Sequence, residues 1–275
     1  MQGRRNLLGI RRVCFRGYIG SKLNLRCCQD DSKPEQKENP LRGNVLSAAV
    51  KAVREEFAVE IAERPDQRRE AYQLRHQVYC MERHFEPPQG GIESDGFDHR
   101  AHHAVLRRRG GGRVVGTVRV VPVSAEDPYR SLPMQRVCGA FPEHIPLDGV
   151  GEISRFSIAR EVRLAAPPHL LRLVLFRGVM EITEMAGLRH WCALMEPSML
   201  RLLRATAMYL EPHGPLVEHR GLRQPAFAEI RLLLDCLRRE RPEIWDFVTD
   251  DGRLGAGGCG PQPQQFPMRK GRVLG

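Results

Sequence analysis

The chain has 275 residues, of which 41% are hydrophobic, so it can bury one sizeable core and still have length left for tails. Its formal charge of +10 is concentrated at the ends: residues 1–44 carry ten Lys/Arg against four Asp/Glu, and residues 253–275 carry four Lys/Arg and no acid. The body, 45–252, therefore holds 29 residues of each sign and is neutral, which argues against a nucleic-acid-binding groove despite a pI near 9.6.

The two ends of the chain are predicted to have no fold of their own. The first 29 residues hold seven basic groups and no acid before Asp30, which is typical either of an organelle-targeting segment or of a stretch ahead of the true translation start; we favour the second interpretation. The composition that follows is that of a polar linker. We predict a disordered or mis-assigned extension over 1–44, one domain over 45–250 and a disordered tail over 251–275.

The cysteines indicate a compartment rather than a site. Eight cysteines are scattered along the chain and form no C-x-x-C pair. Cys80 and His84 stand four apart, but no second pair at ligand spacing accompanies them, so we predict no metal site. Cysteines among apolar neighbours are typical of a reducing compartment, and the apolar runs are far shorter than the roughly 20 residues of a membrane span. The sequence predicts a cytoplasmic protein without a membrane span.

Apolar periodicity predicts alternating strands and helices in the body, as in a single α/β (α+β) domain with a mixed central sheet flanked by helices. A loop is predicted over 85–99, which contains two prolines and three glycines. The predicted strands cover 56–63, 102–108, 113–122, 151–159, 188–195 and 208–218. The predicted helices cover 65–84, with Ala71, Leu74, Val78 and Met81 facing inward, then 168–186, 197–207 and a closing helix over 225–247.

The most informative stretch is 151–158, Gly-Glu-Ile-Ser-Arg-Phe-Ser-Ile, which alternates with the period of a strand. A regular strand places Glu152 and Arg155 on opposite faces, unless a bulge re-aims one of them. Charges in such a strand are costly to bury without partners. The chain offers partners at Arg75, Asp95, Asp98 and Arg119. Several ionisable groups in core-forming elements predict a polar pocket cut into the domain.

The element order resembles that of GNAT-type N-acyltransferases, and the motifs resemble a narrower branch, the autoinducer (acyl-homoserine lactone) synthases. That branch's Arg-x-x-x-Phe, E-x-D-x-x-D, strand arginine and Glu-x-x-Arg motifs have counterparts here, although Tyr79 replaces the usual Phe and Phe85 the usual Trp. The resemblance covers roughly residues 50–220. It implies that the site contains Arg75, Tyr79, Phe85, Glu93, Asp95, Asp98, Arg119, Glu152, Arg155 and Phe156.

A closer resemblance is to the acyltransferases associated with bacterial PEP-CTERM/exosortase systems, which are akin to N-acyl amino acid synthases. Three segments carry it: the L-R-x-Q-V-Y-C-x-E motif at 74–82, M-E-P-S-x-L-R-L-L-R at 195–204 and G-P-L-V-E-x-x-G-x-R-Q-P at 214–225. This resemblance extends to about residue 249. It implies transfer of a fatty acyl group to the amine of an amino acid or a similar small molecule.

Amide formation from a thioester needs a neutral amine, a proton acceptor and donors for the tetrahedral oxyanion. We predict that Glu152, Asp95 and Asp98 hold the ammonium and accept its proton, while backbone N–H groups over 154–157 serve the oxyanion. The arginines either bind a substrate carboxylate or orient the acids. Glu196, at a strand end, is predicted to face the acyl chain. The structural alternative is a buried ion-pair network that only orders the 85–99 loop.

The acyl donor is predicted from an absence. Acetyl-CoA users of the fold carry a Gly-rich R/Q-x-x-G-x-G/A loop, whereas residues 160–169 here contain no glycine. An acyl carrier protein (ACP) thioester is therefore the predicted co-substrate, with acyl-CoA as the alternative and no tightly bound cofactor. Arg201 and Arg204, on one helix face, are predicted to dock the acidic carrier; the alternative is a solvated helix face.

Three functions remain open at this stage. The first is an N-acyltransferase acting on an amino acid or similar amine. The second is a true acyl-homoserine lactone synthase using S-adenosylmethionine, against which the replacements at Tyr79 and Phe85 argue. The third is a catalytically silent module that binds an acyl chain or a carrier protein.

Overall fold

The structure, a computed structural model, describes residues 40–88, 90–138, 141–142, 145–165 and 168–255. Its eight described strands form a mixed sheet in the order β1-β2-β3-β4-β5-β8-β6, with β7 also pairing with β8. The strands are β1 Phe57–Ile61, β2 His102–Arg108, β3 Val114–Pro122, β4 Val150–Ile158, β5 His190–Met195, β6 Glu211–Pro212, β7 Val217–Glu218 and β8 Leu222–Glu229. All neighbouring pairs are antiparallel except β4 with β5.

Helices cover both faces of the sheet. They are α1 Pro40–Glu56, α2 Pro65–His76, α3 Pro133–Cys138, α4 Arg160–Ala165, α5 Pro168–Met185, α6 Pro197–Ala205, α7 Ile230–Glu240 and α8 Pro242–Thr249. A π-helical turn, Gln77–Glu82, continues α2, and a short 3-10 turn, Asp98–Arg100, precedes β2. The α/β fold with a mixed sheet flanked by helices, predicted from the sequence, is confirmed.

The two faces of the sheet have different chemistry. A side chain at Gly116 of β3 would meet Leu175, so α5 packs on that face, and Leu171, Leu175 and Ile182 are fully buried there. Arg119 lies three residues further along the strand and therefore points to the opposite face. That face carries α2, whose Arg75 is also fully buried. One face thus holds the main apolar core and the other holds buried charge.

The predicted closing helix over 225–247 is wrong in its first part. Residues 222–229 form β8, which pairs with β5 over 224–229, and the helix begins only at Ile230 and is broken at Arg241. A proline favours a helix start at position 225, but prolines also occur in strands where no N–H is needed. The Pro225 carbonyl still accepts the N–H of His213 at 2.8 Å. Over 208–218, where the sequence predicts a final strand or a pair of strands, the structure has two short strands, β6 and β7.

Three smaller differences concern element ends. Residues 40–44, predicted to belong to the N-terminal extension, form the first part of α1, which buries Val50 and Val53. Met81, predicted to face inward, is 56% exposed because the π-helical turn rotates the face of the helix. At the other end, Leu254 packs against the core and Gly255 donates to Glu184 Oε1 at 2.6 Å. The extension over 1–39 and the tail over 256–275 lie outside the described residues.

Among the helices that the structure describes, none combines the length and apolarity needed to cross a membrane.

Close packing of α5 on the sheet yields a stability prediction with a definite sign. A Cβ at Gly178 would lie 2.5 Å from Ala104 Cβ and 2.7 Å from Val59 Cγ2. Helix propensity alone favours alanine over glycine by about 1 kcal/mol. We expect Gly178→Ala to destabilise the protein instead, by about 1–3 kcal/mol in urea unfolding, because overpacking shifts the helix from the sheet.

The matched control is Ala104→Gly in the Gly178→Ala background. Removing the opposing methyl should recover part of the loss, measured as a coupling in a double-mutant cycle. A Gly178→Ala variant that is more stable than wild type would contradict close packing at this position.

Candidate active site

Six charged side chains from four segments meet on the α2 face of the sheet; we call them the charged cluster. They are Arg75, Glu93, Asp95, Asp98, Arg119 and Arg155. Arg75 of α2 donates two hydrogen bonds to Asp98, at 2.7 and 3.0 Å, and a third to Glu93. Arg119 of β3 donates to Asp95 at 2.6 Å and to Asp98 at 3.0 Å. The structure thus brings together six of the residues that the sequence placed in the site.

The charged cluster is electrically balanced and nearly dry. Three guanidiniums face three carboxylates, and the side chains of Arg75 and Arg119 have no exposed surface. Burial opposes ionisation of Asp98, but hydrogen bonds and charge from Arg75 and Arg119 outweigh it and hold the pKa of Asp98 far below its usual range. Burial and nearby arginines oppose each other in the same way at Glu93 and Asp95, and the net effect lowers the pKa of both. All three acids are therefore ionised at neutral pH.

The predicted bulge in β4 is present and is centred on Arg155. Arg119 pairs with Ser154 and Thr117 with Ser157, so Arg155 and Phe156 together stand opposite Val118 alone. Arg155 adopts φ = 52°, in the left-handed region that a non-glycine residue enters at a cost of roughly 1–2 kcal/mol. This turn brings Arg155 onto the α2 face, where its guanidinium donates to Glu93 at 3.0 Å and to Asp95 at 2.8 Å.

A cleft opens where β4 leaves its parallel neighbour. The β4–β5 pairing covers only 150–152 with 190–192, although β4 runs to Ile158 and β5 to Met195. Beyond that point lies a cavity of about 430 Å³, which we call the β4–β5 cleft. Its apolar lining includes Ile153, Phe156, Ile158, Phe176, Leu194, Met195, Met199 and Leu202. A larger surface cavity of about 690 Å³ between α1 and α8 shares no lining residue with the charged cluster.

Glu152 is the last paired residue before the cleft and is only 2% exposed. Its Oε2 accepts the N–H of Met134 at 2.7 Å. Burial raises the pKa of Glu152 to about 7, against the lowering effects of the Met134 N–H, Arg119 and Arg155. Glu152 shares a sheet face with Ser154, two residues on, whose hydroxyl accepts from Arg119 Nε at 3.1 Å. A carboxyl whose pKa is raised to about 7 therefore lies beside the charged cluster, one residue before the stretch of β4 that lines the cleft.

Four arginines, all missed by sequence reasoning, line one part of the cleft: Arg83, Arg163, Arg172 and Arg223. Arg172 sits in the first turns of α5, and the pKa of its guanidinium is lowered by burial and by the neighbouring Arg163 and Arg83. An arginine inside the apolar run Leu-Leu-Arg-Leu-Val-Leu-Phe was the signal that could have found it. The cleft thus combines an apolar interior with a cationic rim.

The remaining predicted residues divide into two groups. Tyr79, Phe85, Phe156 and Glu196 line the β4–β5 cleft. The rings of Tyr79 and Phe85 meet edge-to-face at 5.8 Å between centroids, and Arg155 lies 5.3 Å from the centre of Tyr79. By contrast, Arg201 and Arg204 are exposed on α6 and do not line the cleft. Their predicted docking role stays a prediction.

The burial of Asp98 leads to a stability prediction. Replacing Asp98 by Asn leaves Arg75 and Arg119 buried with less compensating charge, so we expect a loss of about 3–5 kcal/mol at pH 7. The pKa of Asp98 is lowered in the folded state, so this contribution is present above its ordinary value of 3.8 and is lost as the pH falls below it. Urea unfolding of both proteins at pH 7 and at progressively lower pH measures the difference.

The control for this measurement is Asp66→Asn, which removes one side of the exposed Arg64–Asp66 pair. That substitution should change stability little, because exposed pairs are screened by solvent. Equal stabilities of the Asp98→Asn and Asp66→Asn proteins would show that the charged cluster does not depend on Asp98.

Comparison with known proteins identifies the domain to which this geometry belongs. Residues 74–172, just over a third of the chain, match the family model described as acetyltransferase (GNAT) domain. No curated protein sequence gives a significant match to the chain.

Solved structures with the same architecture include three named synthases. BjaI, a CoA-dependent acyl-homoserine lactone synthase solved with MTA, is 22% identical (TM-score 0.52), over 73% of this chain and 89% of that one. The AHL synthase LasI is 15% identical (TM-score 0.51), over 62% and 88%. FeeM, an N-acyl amino acid synthase from uncultured soil microbes, is 15% identical (TM-score 0.50), over 66% and 93%. The domain match and the shared architecture together identify a GNAT fold and an enzyme of the acyl-transferring class.

Proposed function

We propose that the protein is an N-acyltransferase that moves a fatty acyl group from an ACP thioester to the amine of an amino acid or a similar small molecule. The observation that carries this proposal is the β4–β5 cleft itself. It offers an apolar interior of about 430 Å³ and a cationic rim, and Glu152, whose pKa is raised to about 7, directly precedes the stretch of β4 that lines it. The apolar interior suits an acyl chain, and the cationic rim suits the phosphate-bearing arm of the donor. The carboxyl suits an amine that must lose a proton.

Proton transfer falls to Glu152 in this proposal. An ammonium must lose a proton before it attacks a thioester, and a base whose pKa lies near the working pH is the most effective acceptor. Asp95 and Asp98, which we also predicted to be catalytic, remain ionised at neutral pH and are fully engaged by arginines. We therefore assign them a positioning role, in which they fix Arg119 and Arg155 beside Glu152.

The oxyanion is assigned to backbone N–H groups at the bulge. A bulge interrupts the ladder of hydrogen bonds between strands, so N–H groups there are freed from pairing. Arg155 and Phe156 stand at this interruption, and both line the cleft. Two preorganised donors at that point would stabilise the tetrahedral intermediate as its charge develops.

The rim arginines support a donor that carries phosphate on its arm, as ACP and CoA thioesters both do. Guanidiniums bind phosphate well because their geometry allows paired hydrogen bonds. Preference for ACP rests on the glycine-free stretch at 160–169 and on the acidic character expected of the carrier. Arg201 and Arg204 stay candidate docking residues on the outer face of α6.

A second candidate acceptor is S-adenosylmethionine, which would make the protein an acyl-homoserine lactone synthase. The charged cluster favours it, since its six residues all match that branch's motifs and form one connected network here. One similar solved structure is that of BjaI with SAM and isopentyl-CoA, at 23% identity and a TM-score of 0.51. Tyr79 and Phe85, which line the cleft, differ from that branch and favour the first candidate.

We further infer that the protein belongs to the PEP-CTERM/exosortase-associated branch and acts in the cytoplasm. The support is the set of motifs at 74–82, 195–204 and 214–225 together with the scattered thiols. Within the described residues, Cys80 and Cys192 are buried and free.

Product mass separates the candidate functions. Purified protein is given acyl-ACP or acyl-CoA together with either amino acids or S-adenosylmethionine, and the products are weighed by mass spectrometry. We expect an N-acyl amino acid, formed faster from acyl-ACP. An acyl-homoserine lactone would select the second candidate, and no acyl transfer to any amine would leave only the silent acyl- or carrier-binding module.

The pKa of Glu152 predicts a pH profile. Because that pKa is raised to about 7, the basic form grows as the pH rises through 7, so kcat/KM should rise over the same range. Glu152→Gln should flatten the profile and lower kcat by about 10²–10⁴-fold. Initial rates at saturating donor between pH 5 and 9 measure both effects.

The stability of the folded protein should fall as the pH rises, whereas kcat/KM should increase. The two pH dependences therefore distinguish a catalytic role of Glu152 from a structural one. A raised folded-state pKa stabilises the protein below the ordinary value of 4.5 and loses that contribution as the pH rises through about 7. The Gln variant should therefore match or exceed the wild-type melting temperature at pH 8. Loss of activity together with unfolding at pH 8 would contradict the role given to Glu152.

If the cationic rim binds the phosphate of the acyl donor, removing one of its arginines should weaken binding of the donor but not of the acceptor. We expect Arg172→Gln to raise KM for acyl-ACP and acyl-CoA by about 10-fold or more, because a charge-assisted contact to phosphate is lost. Arg201→Gln, outside the cleft, is the matched control and should leave KM for acyl-CoA unchanged. An unaltered KM for both donors in the Arg172 variant would contradict the assignment of phosphate binding to the rim arginines.

A further inference from the structure

The cationic rim of the β4–β5 cleft is partly neutralised by two acids of the chain itself. Glu82 accepts a hydrogen bond from Arg163 at 2.6 Å. Glu196, which lines the cleft directly after β5, lies 3.5 Å from Arg83 and 3.4 Å from Arg223. Three of the four rim arginines therefore already face a carboxylate.

Arg172 is the exception among the rim arginines, because it makes no ion pair within the described part of the chain. Burial and the neighbouring arginines lower its pKa, and the charge of Glu196 raises it. A single phosphate can bind Arg172 without displacing an acid. Any further phosphate has to compete with Glu82 or Glu196 for the other arginines.

The two acids of the rim are held very differently. The side chain of Glu82 is 13% exposed and also accepts hydrogen bonds from Gln77 Nε2 at 2.9 Å and from the Arg160 N–H at 3.3 Å, so it ties α4 to the π-helical turn. The side chain of Glu196 is 40% exposed, and both of its arginine contacts are long. Exposed pairs of this kind add little stability. The charge of Glu196 therefore needs a reason outside the stability of the fold.

We propose that Glu196 selects the acyl donor by repulsion: its carboxylate disfavours thioesters whose arm carries several phosphates and so restricts the rim to an arm with one. The proposal rests on the proposed acyl transfer and adds the residue that sets its donor preference. The arm of an ACP thioester carries one phosphate, whereas that of CoA continues into a diphosphate and a third phosphate. Discrimination between such related ligands commonly uses a repulsive group as well as attractive ones.

The surroundings of Glu196 fit a repulsive role. Arg83 and Arg223 come from different parts of the chain, and both pack on the ring of Phe85, with guanidinium carbons 5.7 and 5.8 Å from its centre. Phe85 thus holds the two guanidiniums in place independently of the acid between them. Without the negative charge of Glu196, both would be free to bind additional phosphates.

Donor binding can be measured without an acceptor, so the test does not depend on the identity of the amine. The full-length protein is titrated by calorimetry with the decanoyl thioesters of pantetheine, phosphopantetheine and CoA, which carry none, one and three phosphates on the same arm. In the wild type, the first phosphate should tighten binding about 10-fold, whereas the additional phosphates of CoA should add less than about 3-fold. In Glu196→Gln, the preference for the CoA thioester over the pantetheine thioester should grow about 10-fold.

Two matched variants and a change of salt separate charge from structure. Glu196→Asp keeps the negative charge, so its preference among the three thioesters should stay within about 3-fold of wild type. Glu161→Gln removes a nearby acid whose partner, Arg113, does not line the cleft; both side chains are exposed, and the preference should change less than about 2-fold. The effect of Glu196→Gln should also shrink at high salt, because salt screens repulsion between partly exposed charges.

Three results would overturn the inference. If Glu196→Gln changed the affinity for all three thioesters by the same factor, Glu196 would act on the acyl chain, as predicted from the sequence, or on the common arm. If the wild type bound the CoA thioester far more tightly than the phosphopantetheine thioester, repulsion at the rim would be refuted, with acyl transfer left intact. Absence of binding for all three would count against the cleft as the donor site and therefore against the proposed function as well.

Discussion

The bulge at Arg155 is the constraint on which the site depends. A left-handed non-glycine residue within a strand persists only where its surroundings hold it, and here Glu93 and Asp95 grip the Arg155 guanidinium. The same kink interrupts the pairing of β4 with β3 between Ser154 and Ser157, beyond the last pair of β4 with β5, so the charges that hold Arg155 act on the stretch of β4 that lines the cleft. Breaking that grip would relax the strand and close the site.

Charge compensation divides the site into a fixed part and a reactive part. Within the charged cluster, guanidiniums and carboxylates are matched in number, and replacing such a buried network by apolar groups often costs no stability. Positioning, rather than stability, is therefore the more consistent reason for its presence. Glu152 lies just outside this balance, where burial prevails over the nearby arginines and leaves its pKa near 7. In the proposed mechanism, this carboxyl is the one available for proton transfer, while the other acids stay ionised.

Much of this arrangement could be predicted from the sequence, because strand periodicity and charge spacing are local signals. The positions of β1 to β5 followed from strand periodicity, and the resemblance to the autoinducer synthases supplied the set of charged residues that includes Arg75, Asp98 and Arg119. Two things did not. The strand β8 was not predicted, because it contains Pro225 and proline occurs both at helix starts and at strand edges. Arg172 was missed because its importance comes from burial beside Arg163 and Arg83, which only the packed fold reveals.

The central claim is that burial keeps the Glu152 carboxyl half-ionised at neutral pH beside a site for an acyl thioester. Carbon-13 NMR of protein labelled at the glutamate side-chain carboxyl, titrated from pH 4 to pH 9, tests it most directly, with the Glu152→Gln protein identifying the resonance. The account predicts a single carboxyl with a midpoint near 7 whose signal is absent from the variant. A Glu152 resonance that titrates near the ordinary value of 4.5 would contradict it.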